Sequence, residues 1–356
     1  MTVLRLNLQK AGGSRRYRRI RSKDKVLFSR QLATLINAGL PLVQSLRQVA
    51  AQTTNKPLKA IVNQIITDVE AGTSFSKALE KHAEVFNRLY ISLIAAAEAS
   101  GTLDSGLERL ADQQEKDADI ISKVRGAMIY PVIVLLVMLA VVTFMVVKVL
   151  PEVETIYKGL PGVSLPLPTT ILLAVSHFVI KFWWVVIILI VVLIFGGSRW
   201  SKTVGGRSVV DKLKMKTWPI GRLYMKLYMA RFARTAKTLV ASGVPLIQVL
   251  EITGDAVDNV HINASLKRAI DKVKGGKALS EALTSDPNFL ELVPNMLKIG
   301  EQSGALEDML DKVATYYEKE VDNEIKTIST IIEPVMMIIM GIIAITIVAA
   351  VLLPIY

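Results

Sequence analysis

Apolar positions along the chain follow two regimes. From Val26 to Lys123, and again from Ala230 to Thr327, they recur at near-helical spacing among polar and charged residues. Leu32, Leu35 and Ile36 set one such stripe, and Leu42, Leu46, Val49 and Ala50 set the next. No stretch alternates as a strand would. Three other stretches, Met128 to Leu150, Thr169 to Phe195 and Ile331 to Leu353, are almost wholly apolar. Each is long enough to cross a bilayer, which takes about 20 residues in a helix.

Turn chemistry divides the first amphipathic region into about six helices. Gly39-Leu40-Pro41 stops one and starts the next, because Gly tolerates positive φ and Pro suits a first turn. Asn55-Lys56-Pro57, Gly72 and Gly101 mark further corners. Ser105-Gly106-Leu107-Glu108 fits a capping box opening the sixth helix, and Asp286-Pro287 reads as a cap followed by a first-turn Pro. Nothing stops the sixth helix before the membrane. Lys123 and Arg125 lead directly into the first apolar run, where Pro131 predicts a bend.

The second region repeats the first. Phe28-x-Arg30, Thr34-Leu35 and Gly39-Leu40-Pro41-Leu42 return as Phe232-x-Arg234, Thr238-Leu239 and Gly243-Val244-Pro245-Leu246, at an offset of 204. After one deletion the offset becomes 203: Glu98-x-Ser100-Gly101-x-Leu103 returns as Glu301-x-Ser303-Gly304-x-Leu306, and Pro131 as Pro334. A period this long is a duplicated domain rather than a solenoid.

The resulting expectation is an all-α, polytopic membrane protein with two homologous cytoplasmic six-helix bundles and three transmembrane helices. A basic arm (1–25) precedes the first bundle (26–126), the first span (127–150), an extracytoplasmic loop (151–168) and the second span (169–196). A basic connector (197–229), the second bundle (230–330), the third span (331–353) and a short tail (354–356) follow. The extra middle span gives both copies the same orientation.

Charge sets that orientation. The chain carries a net +12 although 51% of its residues are hydrophobic. The bases gather in the arm, the bundles and the connector, whereas the 151–168 loop holds one, Lys158. The positive-inside rule then puts the N-terminus and bundles in the cytosol and the C-terminus outside. The arm is read as solvated, or as contacting anionic lipid or an acidic partner; without interleaved aromatics it is not read as binding nucleic acid. Lys181 and His177, in the second span, are read as lying in its outer half near Trp183 and Trp184.

Candidate chemistry is sparse. There is no Cys, and three scattered His (His82, His177, His261) leave little for a transition metal. No phosphate-binding loop, metalloprotease helix or nucleophile elbow occurs, so neither an enzyme nor a cofactor is expected. Gly39, Pro41, Gly243 and Pro245 are turn residues first and docking candidates second. Glu98 and Glu301 sit near helix C-termini, where the dipole disfavours a carboxylate. Each caps a neighbouring helix or pairs with a base inside the bundle, with a partner contact, and last a metal, as the alternatives. Glu333, beside Pro334 where the first copy has Tyr130, is an interfacial carboxylate or a contact with another transmembrane helix.

Two helical domains, each feeding a Pro-containing span and each carrying Gly-x-Pro-Leu and Glu-x-Ser-Gly-x-Leu, resemble the type II secretion F family from about Phe28 to Pro354. That family comprises inner-membrane platforms of type IV pilus, type II secretion and competence systems. The resemblance implies a non-enzymatic, homo-oligomeric scaffold that docks a hexameric assembly ATPase, with room for a retraction ATPase, and meets pilin or pseudopilin helices in the bilayer. Its recurrent pattern falls on Gly39, Pro41, Glu98, Gly101, Pro131, Gly243, Pro245, Glu301, Gly304 and Pro334. The rival from another class is a small transporter or channel, with His177, Lys181, Thr143 and Thr346 as polar candidates.

Overall fold

The computed structural model describes residues 20–158, 167–217 and 220–352. Their regular elements are all helices, with no strand among them. The first repeat contributes six helices: α1 (Ser22–Asn37), α2 (Leu42–Gln52), α3 (Lys56–Glu70), α4 (Phe75–Glu80), α5 (Arg88–Ser100) and α6 (Leu103–Phe144). A single π-helical turn, Met145–Val149, then leads to α7 (Leu150–Lys158). Next come α8 (Leu167–Trp200), α9 (Val204–Lys216) and the six helices of the second repeat. Those are α10 (Ile220–Ala241), α11 (Leu246–Val257), α12 (Val260–Lys274), α13 (Leu279–Thr284), α14 (Leu292–Ser303) and α15 (Leu306–Leu352).

The chain divides into two compact units. One comprises the residues up to Ser122 together with Gly221–Val321; the other is Lys123–Ile220 with Asp322–Tyr356. The first unit holds both bundles. Each bundle closes over the stripe its sequence predicts: Phe28, Leu32, Leu46, Val49, Ile65 and Leu79 in one, and Phe232, Leu239, Val249, Leu266 and Leu283 in the other, all almost fully buried. The repeat extends to ring packing. Phe28 lies 6.0 Å from Phe86 and Phe232 lies 5.2 Å from Phe289, centroid to centroid. Burial of such side chains stabilises by about 1.5–3 kcal/mol each, which is what holds short helices that could not stand alone in water.

Among the described residues, three helices are long and apolar enough to cross a membrane, and their apolar stretches fall in the second unit. Their apolar side chains point outward: Leu136, Val141, Ile188, Leu193, Ile338 and Ile342 are all exposed. That suits a lipid environment and would be costly in water. Pro131 and Pro334 lie inside α6 and α15 and leave the carbonyls of Ala127 and Thr330 without their usual helical donor. Around the π turn, the Ser176 hydroxyl of α8 donates to the Val146 carbonyl at 2.5 Å, and His177 Nε2 lies 3.0 Å from Glu154 of α7. Lys181 stands 5.7 Å from the Phe182 ring, where α8 departs from helical geometry (φ −117°, ψ 26°). Lys123 of α6 pairs with Asp322 of α15 at 3.0 Å.

Several local expectations are corrected. The sixth helix starts at Leu103, so Ser105 is no cap; its hydroxyl donates back to the Thr102 carbonyl at 3.1 Å. Asp286-Pro287 opens a turn rather than a helix, its carboxylate accepting from the Asn288 amide at 3.0 Å, and α14 begins only at Leu292. The stretch expected as loop from Pro151 is helical through Lys158: the helix runs on unbroken, a π turn precedes the proline, and the Val146 carbonyl five residues before it accepts from the Ser176 hydroxyl instead. The basic connector is itself helical: α8 runs on to Trp200, α9 follows, and α10 starts at Ile220. Residues 1–19 of the basic arm, 159–166 of the loop, Trp218 and the tail from 353 lie outside the described residues.

Candidate functional site

The doubled motifs occupy equivalent corners of the two bundles. Gly39 and Gly243 adopt φ +85° and +75° between the first two helices of each copy. Pro41 and Pro245 stand as N-caps of α2 and α11 rather than inside their first turns. Gly101 and Gly304 are left-handed C-caps at φ +71° and +70°, a conformation that would strain any side chain with a Cβ.

Glu98 turns away from its own helix end. Its Oε1 accepts from the Phe75 amide at 2.7 Å, and its Oε2 accepts from the Ser76 amide at 3.1 Å and the Ser76 hydroxyl at 2.6 Å. Glu301 does the same to α13. It accepts from the Leu279 amide at 2.6 Å, the Ser280 amide at 3.2 Å and the Ser280 hydroxyl at 2.5 Å. A carboxylate placed badly for one dipole is thus placed well for another, satisfying two orphan amides at a helix start. Six-residue helices cannot persist by propensity, so this clamp fixes where α4 and α13 lie.

A second doubled feature escaped the sequence reading, although both arginines stood within the quoted repeat. Arg30 bonds Glu108 at 2.6 Å, Asp112 at 2.5 Å and Glu115 at 2.6 Å. Arg234 bonds Asp311 at 2.9 Å and both oxygens of Glu318 at 2.8 Å. Each arginine locks the first helix of its bundle to the long sixth helix. The findable signal was a pair of acids seven residues apart, Glu108 and Glu115, repeated as Asp311 and Glu318. Hydrogen bonds to Glu115, Asp112 and Glu108 raise the Arg30 guanidinium further above its already high range, and the bond from Arg30 holds Glu115 below the usual carboxylate range.

The two bundles meet along a polar seam. Arg88 of α5 reaches Glu251 at 2.9 Å and Asp255 at 3.2 Å on α11. Arg109 donates to the Ala241 carbonyl at the end of α10. Gln113, almost fully buried, faces the Thr235 and Thr238 hydroxyls at 3.5 and 3.4 Å. Burial beside this seam pushes the Asp117 carboxyl up, against the pull of Arg231. A groove of about 480 Å³ runs here, lined by charged and amide groups such as Asp112, Lys116, Arg234 and Lys237. In the other unit, Glu333 is exposed on α15 and Tyr130 is exposed on α6.

This doubled architecture has named relatives. The family described as type II secretion system (T2SS), protein F matches residues 28–151 and again 232–354. The chain belongs to that family. A type IV pilus assembly protein PilC of Thermus thermophilus is 40% identical over 94% of this chain and 82% of its own length. PilC of Pseudomonas aeruginosa is 33% identical over 95% of this chain and 91% of its own length. A type II secretion system protein F of the same organism is 33% identical over 95% and 83%. The family's two matches start at Phe28 and Phe232, the buried phenylalanines that anchor each first helix, and take in the apolar stretches that α6 and α15 enter.

Proposed function

We propose that this protein is the cytoplasmic-membrane platform of a type IV pilus or type II secretion machine. It couples a cytoplasmic assembly ATPase to the insertion of pilin or pseudopilin subunits into a filament, and catalyses nothing itself. The bundles and both basic segments face the cytosol, and the C-terminus lies outside. The ATPase docks on the bundles; the spans meet the hydrophobic helices of the subunits.

The observation that carries this reading is helix continuity. α6 and α15 each begin as the last helix of a soluble bundle and continue, without a stop, into an apolar stretch. α6 alone is 42 residues, about 63 Å at 1.5 Å per residue. A continuous helix resists axial compression, so displacement of a bundle reaches the bilayer. The test is co-purification of the cognate assembly ATPase with the full chain in lipid nanodiscs. Retention of the hexamer supports the reading. Failure to retain it, or nucleotide hydrolysis by the purified chain alone, contradicts it.

A further inference from the structure

Within one chain the bundles do not present matching faces to each other. The first offers α5 and α6, through Arg88, Arg109 and Gln113; the second offers α10 and α11, through Thr235, Thr238, Glu251 and the Ala241 carbonyl. Because the bundles are copies, each also carries the counterpart of the face its sibling uses. Such a head-to-tail contact consumes one face of each and leaves two over.

The leftover faces are well defined. On the second bundle, the counterparts of Arg88, Arg109, Gln113 and Asp117 at the offset of 203 are Glu291, Lys312, Tyr316 and Glu320. All four line a single groove of about 550 Å³, together with Met296 and Tyr317. On the first bundle, the counterparts of Arg231, Thr235, Thr238, Ala241 and Glu251 at the offset of 204 are Leu27, Gln31, Thr34, Asn37 and Arg47. Tyr316 is 50% exposed and Leu27 is 56% exposed, both among polar residues outside the apolar stretches, where large apolar surface needs a reason.

The substitutions between the two sets keep them complementary. Arg88 against Glu251 becomes Glu291 against Arg47, with both signs reversed. Arg109 against the carbonyl ending α10 becomes Lys312 against Asn37, the last residue of α1, where a helix C-terminus favours a cation. Gln113 against threonines becomes Tyr316 against the α1 stripe of Leu27, Gln31 and Thr34. Glu320 is already held by Lys226 at 2.7 Å and asks for nothing. Arg47 rests on Glu70 in the free chain, but its side chain is 65% exposed and can swing to a new carboxylate.

We propose that the groove at Glu291, Lys312 and Tyr316 receives α1 and α2 of another copy of this chain, repeating between molecules the contact made between bundles within one. The contact is heterologous. Each added copy offers a fresh groove at one end, so the assembly grows as a ring or an open array rather than stopping at a symmetric pair. The inference does not depend on which machine the platform serves.

The chain has no Cys, so introduced thiols report without background. Arg47→Cys and Glu291→Cys are prepared separately as full-length chains in nanodisc-forming lipid or mild detergent, mixed, and treated with a short bismaleimide. Covalent dimers are expected in the mixture and in neither variant alone. Dimers from one variant alone would mean that a face meets itself, and would overturn the proposal. So would a mixture without dimers while both thiols still take a maleimide dye. Separately, Arg47→Glu and Glu291→Arg should each weaken self-association about tenfold, and Arg47→Glu/Glu291→Arg in one chain should restore it; failure of the restoration contradicts the pairing. Neither readout involves ATPase or filament, so a negative result leaves the platform reading standing.

Discussion

A Cβ placed on Gly106 would lie 2.2 Å from the Cβ of Ala97, so α5 and α6 touch at a point where only a bare backbone fits. The second repeat solves the same crossing the other way. Ala97 becomes Gly300 and Gly106 becomes Met309; a Cβ on Gly300 would meet the Leu306 Cα at 3.0 Å and the Met309 Cγ at 3.2 Å. One glycine per crossing is retained, but it has moved to the opposite helix. Gly106→Ala should therefore cost about 1–3 kcal/mol through overpacking. Gly300→Ala should cost less, because its closest contact, the Leu306 Cα at 3.0 Å, is far looser than the 2.2 Å overlap at Gly106 and calls for only a small shift of backbone. Unfolding midpoints of the two variants in detergent check the order.

Glu98→Gln and Glu301→Gln test the carboxylate clamps. Each replaces one acceptor oxygen by an amide NH₂ that faces an N–H donor. Each should cost about 1.5–3 kcal/mol, the worth of hydrogen bonds to a charged group. The two sites share no partner, so the double variant should show the sum. Amide exchange at Phe75 and Ser76 should quicken in the first variant only, and at Leu279 and Ser280 in the second only.

The two arginine locks should differ in strength. Arg234 is 17% exposed and Glu318 is 18% exposed, whereas Arg30 is 28% exposed and its acids 40–61%. Removing Arg234 strands a half-buried carboxylate; removing Arg30 leaves acids that water can solvate. Arg234→Ala should cost about 3 kcal/mol, at the lower end of breaking a buried pair, and Arg30→Ala about 1 kcal/mol. Denaturant midpoints of the two variants test the ranking.

Asp286 carries a pH dependence. Burial alone would raise its carboxyl, but the Asn288 amide, Arg268 and Ser265 outweigh that and hold it below the usual aspartate value. A depressed folded value contributes stability that is complete above the unfolded pKa, about 3.9, and is lost as pH falls through the folded value. Asp286→Asn should thus be destabilised relative to the parent at neutral pH, with the gap closing below about pH 4. Thermal unfolding across that range provides the measurement.

Periodicity made the helices legible and the repeat made the corners legible. Glu98 was findable because a carboxylate kept twice at an unfavourable dipole needs a donor elsewhere. Arg30 and Arg234 were harder, because their acids lie about eighty residues downstream and only helix periodicity joins them. Gly106 looked like part of a cap because local spacing mimics one; its reason is Ala97, near in sequence but on the preceding helix, which only the crossing of α5 and α6 brings against it. The loop after Pro151 was misjudged for a related reason. Pro usually ends a helix from inside, but here a π turn and a hydroxyl from Ser176, on a different helix, accommodate it, and no local spacing announces either.

We propose that α6 and α15 pass displacement from the bundles to the spans. Inserting a flexible Gly-Ser segment after Arg125 in α6, and after Thr327 in α15, tests it most directly, with filament extension or secretion as the readout in a strain carrying the altered chain. The account predicts that membrane insertion and ATPase co-purification persist while filament extension falls to the level of a strain lacking the protein. Filaments at the parental level with both helices interrupted would contradict it.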